Sequence, residues 1–253
     1  MRHLEHLPAR EGRRGGWPAW ADAEVVAAFG RRGVERPWLH QLRAAEAVRA
    51  GRSVVLSAGT ASGKSLAYLL PVLTALREGA GAPSGRDATA LYLAPTKALA
   101  ADQLDGLRAL GVPGVRAATY DGDTPGEERR WVRDHAHYVL TNADMLHRSV
   151  LPGHERWGPF LRRLRYVVVD ECHSYRGVFG AHAAAVLRRL RRVAARYGAE
   201  PVFVLASATV ADPAAAARRL VGVDVEAVVA DTSAPGPVAL ALWEPPLLER
   251  GPG

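Results

Sequence analysis

The chain has 253 residues, 48% apolar and 23% charged, which allows one large α/β domain or two small ones and excludes a disordered chain. Its formal charge of +7 suits a polyanionic partner, although an arginine-rich, alanine-rich composition could reflect genome composition alone. One cysteine excludes an internal disulfide or cysteine-rich zinc module, no apolar run approaches a bilayer span, and the N-terminus lacks the apolar stretch of a secretory signal; a cytoplasmic protein without membrane contact is expected.

In chain order, residues 1–35 read as a partly irregular N-terminal extension with one short helix near 21–29. Apolar strand candidates follow at 53–57, 89–94, 115–120, 137–141, 165–170, 202–207 and 225–230. Several are unbroken apolar runs, as expected for strands covered on both faces. Helical spacing of apolar residues lies between them, at 96–110 (Leu99, Leu104, Leu107, Leu110) and 181–197 (Val186, Leu190, Val193, Tyr197). Residues 79–87, "GAGAPSGRD", read as a surface loop, and 236–253 as a tail whose end, "EPPLLERGPG", carries no strand or helix signal. Strand–helix alternation predicts an α/β fold with a mainly parallel, doubly wound sheet, whose ligands sit at the carboxyl ends of the strands.

The stretch "AGTASGKS" at 58–65 lies between the first apolar strand and a helical pattern, the context of a phosphate-binding loop. Ala58 takes the position of the first glycine, followed by Gly59, Thr60, Ala61 and Ser62. Gly63, Lys64 and Ser65 complete the motif, in which backbone N–H groups converge on phosphate at a helix N-terminus. Lys64 suits the β- and γ-phosphates of ATP, and the Ser65 hydroxyl suits Mg2+. Only Lys64 and Lys97 are lysines in a chain whose other cations are arginines, so both mark places that want a compact point charge. "RYVVVDECHSY" ends a second apolar strand in Asp170, a carboxylate placed to hold Mg2+, and then Glu171, placed to deprotonate the attacking water.

Asp170-Glu171-Cys172-His173, together with "AGTASGKS" and "SAT" at 207–209, resembles the first RecA-like domain of a superfamily-two DEAD/DEAH-box helicase, in which the first loop position can be alanine. "PWLHQ" (37–41) resembles the adenine-sensing Gln motif, "APTKALAADQ" (94–103) motif Ia, and "TNADMLH" (141–147) motif Ib. "YDGDTPGEER" (120–129) and "DECHSYRGVFGAHAA" (170–184) are similar to the bacterial YprA-like branch, which contains mitomycin-repair DNA helicases; that branch carries valine where this chain has Cys172. Taken alone, Gln41 would read as an ordinary helix-start residue, and "YDGDTP" as a turn.

The resemblance implies that Gln41 reads adenine, that Glu171 is the catalytic base, and that Asp170 holds Mg2+ with Ser65. It implies that His173, with Ser207 and Thr209, couples hydrolysis to strand movement. It also implies nucleic-acid backbone contacts from Pro95, Thr96, Lys97, Gly122, Thr141 and Asn142, with Arg148 and Arg176 beside those motifs; DNA is favoured over RNA on the branch likeness alone. The expected division is an extension at 1–35, an ATP-binding RecA-like domain at 36–235, and a tail at 236–253 that starts a linker. A second RecA-like domain, in cis or in trans, is needed for full activity, and the chain reads as a truncated product or a fragment. The other readings are an ATP-dependent RNA helicase core, a non-catalytic nucleic-acid-binding remnant, and a P-loop ATPase switch acting on a protein partner, the last disfavoured by the Ia, Ib and "SAT" elements.

Overall fold

The computed structural model describes residues 3–59, 62–81 and 86–244. It opens with strand β1 (His3–Leu7), helix α1 (Ala23–Arg31) and helix α2 (Leu39–Arg49). Strand β2 (Val54–Ser57) leads to helix α3 (Lys64–Ala80), and β3 (Thr89–Leu93) to α4 (Lys97–Leu110). Then come β4 (Ala117–Thr119), α5 (Gly126–His135), β5 (Tyr138–Thr141), the short α6 (Ala143–Met145) continuing into a π-turn over Leu146–Val150, and α7 (Gly158–Leu161). Strand β6 (Leu164–Val169), a 3-10 turn at Cys172–Ser174, α8 (Gly177–Arg196), β7 (Val202–Ser207), α9 (Pro213–Val221), β8 (Glu226–Val228) and β9 (Val238–Leu242) complete the described chain.

Seven strands pair in parallel in the order β4-β5-β3-β6-β7-β2-β8. Side-chain alternation splits their apolar residues between two cores. Val54, Leu56, Ala90, Tyr92, Val168 and Val204 face the core built with α1 to α4, whereas Leu91, Val167, Val169, Phe203 and Leu205 face the core built with α5 and α7 to α9. Burial on both faces explains why these strands read as continuous apolar runs. The register aligns the carboxyl ends: Ser57 lies opposite Ser207, and Leu93 opposite both Thr141 and Val169.

Helix α1 starts where Asp22 caps it, accepting from the N–H groups of Glu24 and Val25 at 2.9 and 3.2 Å. Asp22 also accepts from Arg77 Nε at 2.6 Å, which pins the N-terminal segment to α3. Beyond the expected elements, β1 and β9 pair antiparallel as a separate two-stranded sheet, from His3 opposite Leu242 to Leu7 opposite Val238. All residues of both strands are exposed, so no burial pattern marks them in the sequence. Among the described residues no helix is long and apolar enough to cross a membrane.

Candidate nucleotide and nucleic-acid site

The carboxyl end of β2 runs into the loop that begins at Ala58, and the loop closes on α3 through Gly63. Gly63 has φ 74, and a Cβ there would fall 2.6 Å from Gln41 Nε2, so both the left-handed backbone and the close approach require glycine. Lys64 is the first residue of α3, and its Nζ folds back over the loop to the carbonyls of Ala58 and Gly59 at 3.1 and 2.9 Å. Ser65 follows, half-buried, in the first turn. Ser62 Oγ is buried with no hydrogen-bond partner among the described residues. Thr60 and Ala61 lie outside the described residues.

These features fit a bound triphosphate: a glycine-closed loop at the N-terminus of a 17-residue helix, an ammonium over the loop, and an unpaired hydroxyl within it.

Gln41 is locked to this loop. Its Oε1 accepts from Trp38 N–H at 2.8 Å, and its Nε2 donates to Gly63 O at 2.8 Å. The neighbouring His40 is a second strut that the sequence did not mark. His40 Nδ1 accepts from Thr232 N–H at 3.2 Å and lies 2.9 Å from Thr232 Oγ1, while Nε2 lies 3.2 Å from Ser62 O. A neutral imidazole with its proton on Nε2 satisfies all three contacts. Burial lowers the His40 pKa, outweighing the opposing pull of Asp231 and favouring that neutral form.

Asp170 sits just past β6, 6% exposed. Its Oδ1 accepts from Glu171 N–H at 2.8 Å. Its Oδ2 accepts from the hydroxyl of Tyr92, on β3, at 2.5 Å and faces that of Tyr68, on α3, at 3.4 Å. Burial raises the pKa of both tyrosines, which therefore stay neutral donors. Neither was marked by the sequence, because a tyrosine in an apolar run reads as core and its hydroxyl direction depends on which strands become neighbours. Glu171 has φ 46, the one positive φ among described non-glycine residues, a strained backbone at the turn that follows β6.

His173 Nδ1 is contested. It lies 3.2 Å from Glu171 Oε2 and 3.2 Å from Ala208 N. Nδ1 accepts from the Ala208 N–H only when it carries no proton, and donates to Glu171 only when it does. His173 thus stands between the Glu171 carboxylate and the 207–209 segment. That segment is also tied to the nucleotide loop, since Ser57 Oγ donates to Ala208 O at 3.1 Å. Ser207 is buried, and Thr209 is exposed.

The remaining candidates stand at the ends of β3, β4 and β5. Pro95 is half-buried, and Thr96 caps α4 by accepting from Leu99 N–H at 3.2 Å. Lys97 Nζ meets Asp123 Oδ2 at 2.7 Å beside Gly122, which brings those two segments together; the hydrogen bond to Asp123 raises the Lys97 pKa. Arg129 braces the same turn through the carbonyls of Asp121 and Gly122. Asn142 caps α6. Thr141 is buried and donates its hydroxyl to Tyr120 O, so its side chain is committed inside the fold. Arg148 and Arg176 are exposed.

Fold and site together define a RecA-like P-loop nucleotide-binding domain. A model of the DEAD/DEAH box helicase family matches residues 38–217, and the chain belongs to that family. It is 41% identical over 251 residues to the ATP-dependent helicase YprA of Bacillus subtilis, covering 96% of this chain and 32% of the relative. It is 37% identical over 254 residues to the ATP-dependent helicase hrq1 of Schizosaccharomyces pombe, covering 97% of this chain and 23% of the relative. A crystal structure of the DUF1998 helicase MrfA bound to DNA superposes with a TM-score of 0.90 at 38% identity, covering 98% of this chain and 35% of that one. The chain thus spans about a third of the length of YprA and MrfA. The DEAD-box helicase Mss116, 19% identical with a TM-score of 0.71, shares the fold.

Proposed function

We propose that this chain is the ATP-binding core of a cytoplasmic ATP-dependent DNA helicase or translocase that works in DNA repair. One observation carries the reading. The strand order places Lys64, Ser65, Asp170, Glu171 and Ser207 at the ends of β2, β6 and β7, and Pro95–Lys97, Gly122, Thr141 and Asn142 at the ends of β3, β4 and β5. The two sets share one rim, and the Tyr92–Asp170 hydrogen bond joins them where β3 meets β6. A plain nucleotide switch has no use for the second set.

Lys64, Ser65 and Asp170 would hold Mg-ATP, in which the metal neutralises charge developing on the transferred phosphoryl group. Lys64 exchanges the Ala58 and Gly59 carbonyls for phosphate oxygens. Gln41 reads adenine with the Oε1 lone pair left over from Trp38 and with the Nε2 proton that it otherwise gives to the Ser62 carbonyl at 3.4 Å. Glu171 takes the proton of the attacking water on its carboxylate, and that neutralisation removes its claim on His173 Nδ1. Glu171 Oε2 lies 3.2 Å from His173 Nδ1, which stands 3.2 Å from Ala208 N, so the change of charge on Glu171 reaches the 207–209 segment through His173. Lys97, with the backbone around Pro95, Thr96, Gly122, Thr141 and Asn142, contacts phosphates, giving affinity without sequence preference.

The proposed division is a domain over residues 36–235, an extension at 1–35, and a tail at 236–253 leading toward a second RecA-like domain, supplied in cis or in trans. That second domain brings the arginine finger, worth about 10³–10⁵ in rate in other NTPases. Steady-state ATPase assays of these 253 residues test this. Turnover is expected to be slow with or without single-stranded DNA, and strong DNA-stimulated turnover would contradict it.

A further inference from the structure

Behind the Asp170–His173 turn, between α8, α9 and the sheet, lies a cavity of about 610 Å³, within the size range of small-molecule sites. Its wall includes Val55 and Leu220 on the apolar side, and Cys172, His173, Tyr175 and Ser207 on the other. Two of these carry unmet chemistry: Ser207 Oγ and Tyr175 OH are buried with no hydrogen-bond partner among the described residues, and Ser207 as a whole is 1% exposed. Buried hydroxyls are almost always paired, so each is a vacancy for a polar atom. The Tyr175 ring is held in place by stacking on Phe179, with centroids 5.2 Å apart. Arg176, Arg219 and Asp212 at the cavity are all exposed, so solvent screens their charge and no strong preference for a charged occupant follows.

We propose that this cavity is a binding site for a small, neutral, mainly apolar ring compound bearing one hydroxyl or carbonyl, which the Ser207 and Tyr175 hydroxyls hold. The occupant touches Cys172, His173 and Ser207, between the catalytic Glu171 and the Ala208 N–H that donates to His173 Nδ1 at 3.2 Å. It wedges the link between hydrolysis and strand movement, a consequence that rests on the function proposed above.

The test uses 4-fluorophenol, titrated into the full chain and followed by fluorine NMR line broadening. Saturable binding is expected, weakened several-fold by Tyr175→Phe and at least tenfold by Ala181→Trp, which places an indole at an exposed position of the cavity wall. Cys172 is the chain's single cysteine, so its rate of modification by N-ethylmaleimide reports on this cavity alone; saturating 4-fluorophenol is expected to slow it several-fold. Absence of saturable binding overturns the proposal. So does binding that leaves the maleimide rate unchanged, whatever the folding of the variants. An affinity for 4-fluorophenol that is the same with and without a non-hydrolysable Mg-ATP analogue upholds the site and contradicts the coupling role of His173 and Ser207.

Discussion

Tyr92 illustrates how a residue outside the motifs governs one within them. Its hydroxyl, 2.5 Å from Asp170 Oδ2, fixes the carboxylate proposed to hold Mg2+. Hydrogen bonds to charged groups are worth about 1.5–3 kcal/mol, so Tyr92→Phe is expected to cut ATPase activity about tenfold or more. The expected signature of lost positioning is a higher Mg2+ concentration for half-maximal activity, measured beside an unchanged far-UV circular dichroism spectrum. His40 gives a pH-dependent counterpart. Its folded pKa lies below the unfolded value of 6.5, so the unfolded chain binds the proton more readily. Stability is therefore full above about pH 6.5 and is lost as pH falls below it. Thermal melts between pH 8 and 5 should show a steeper decline for the wild-type chain than for His40→Gln, and parallel curves would contradict a buried neutral His40.

At the scale of elements, close approaches make sharper demands than propensity does. A Cβ on Gly79, in α3, would lie 2.6 Å from the backbone nitrogen of Ala88, just before β3. Gly79→Ala gains up to about 1 kcal/mol of helix propensity but forces backbone apart, a cost of about 1–3 kcal/mol. Urea denaturation is expected to show net destabilisation. The seven central strands were legible because double-sided burial writes unbroken apolar runs, and each lies within two residues of its expected bounds. Helix α4 begins at Lys97 as its stripe and Thr96 cap indicate, whereas α8 begins at Gly177, four residues before its apolar pattern, since Arg176 offers no side-chain cap to mark the start. The β1–β9 pair was not legible, because exposed strands carry no alternation imposed by a core. In the site, Lys64 and Asp170–Glu171 stood out in the sequence because phosphate and metal chemistry, the role proposed for them, restricts residue type at fixed spacing. His40, Tyr68 and Tyr92 were not, because their partners come from segments 22 to 192 residues away, brought together only by the strand order.

In the whole molecule, the sheet's rim is the proposed functional unit: residues proposed to face nucleotide end one half of its strands and residues proposed to face nucleic acid end the other, with β3 and β6 in contact between them. The excess of 33 basic over 26 acidic residues is expected to give a salt-sensitive background affinity for a polyanion, independent of ATP. What distinguishes a motor core from a basic module is dependence of that affinity on nucleotide through Lys64. The most direct measurement is the single-stranded DNA dissociation constant at fixed salt, with and without a non-hydrolysable Mg-ATP analogue, for the wild-type chain and Lys64→Ala. The wild-type affinity is expected to shift several-fold with the analogue, while Lys64→Ala keeps its nucleotide-free affinity and loses the shift. Equal behaviour of the two proteins, or a wild-type affinity indifferent to nucleotide, would contradict a motor core and leave a nucleic-acid-binding module in its place.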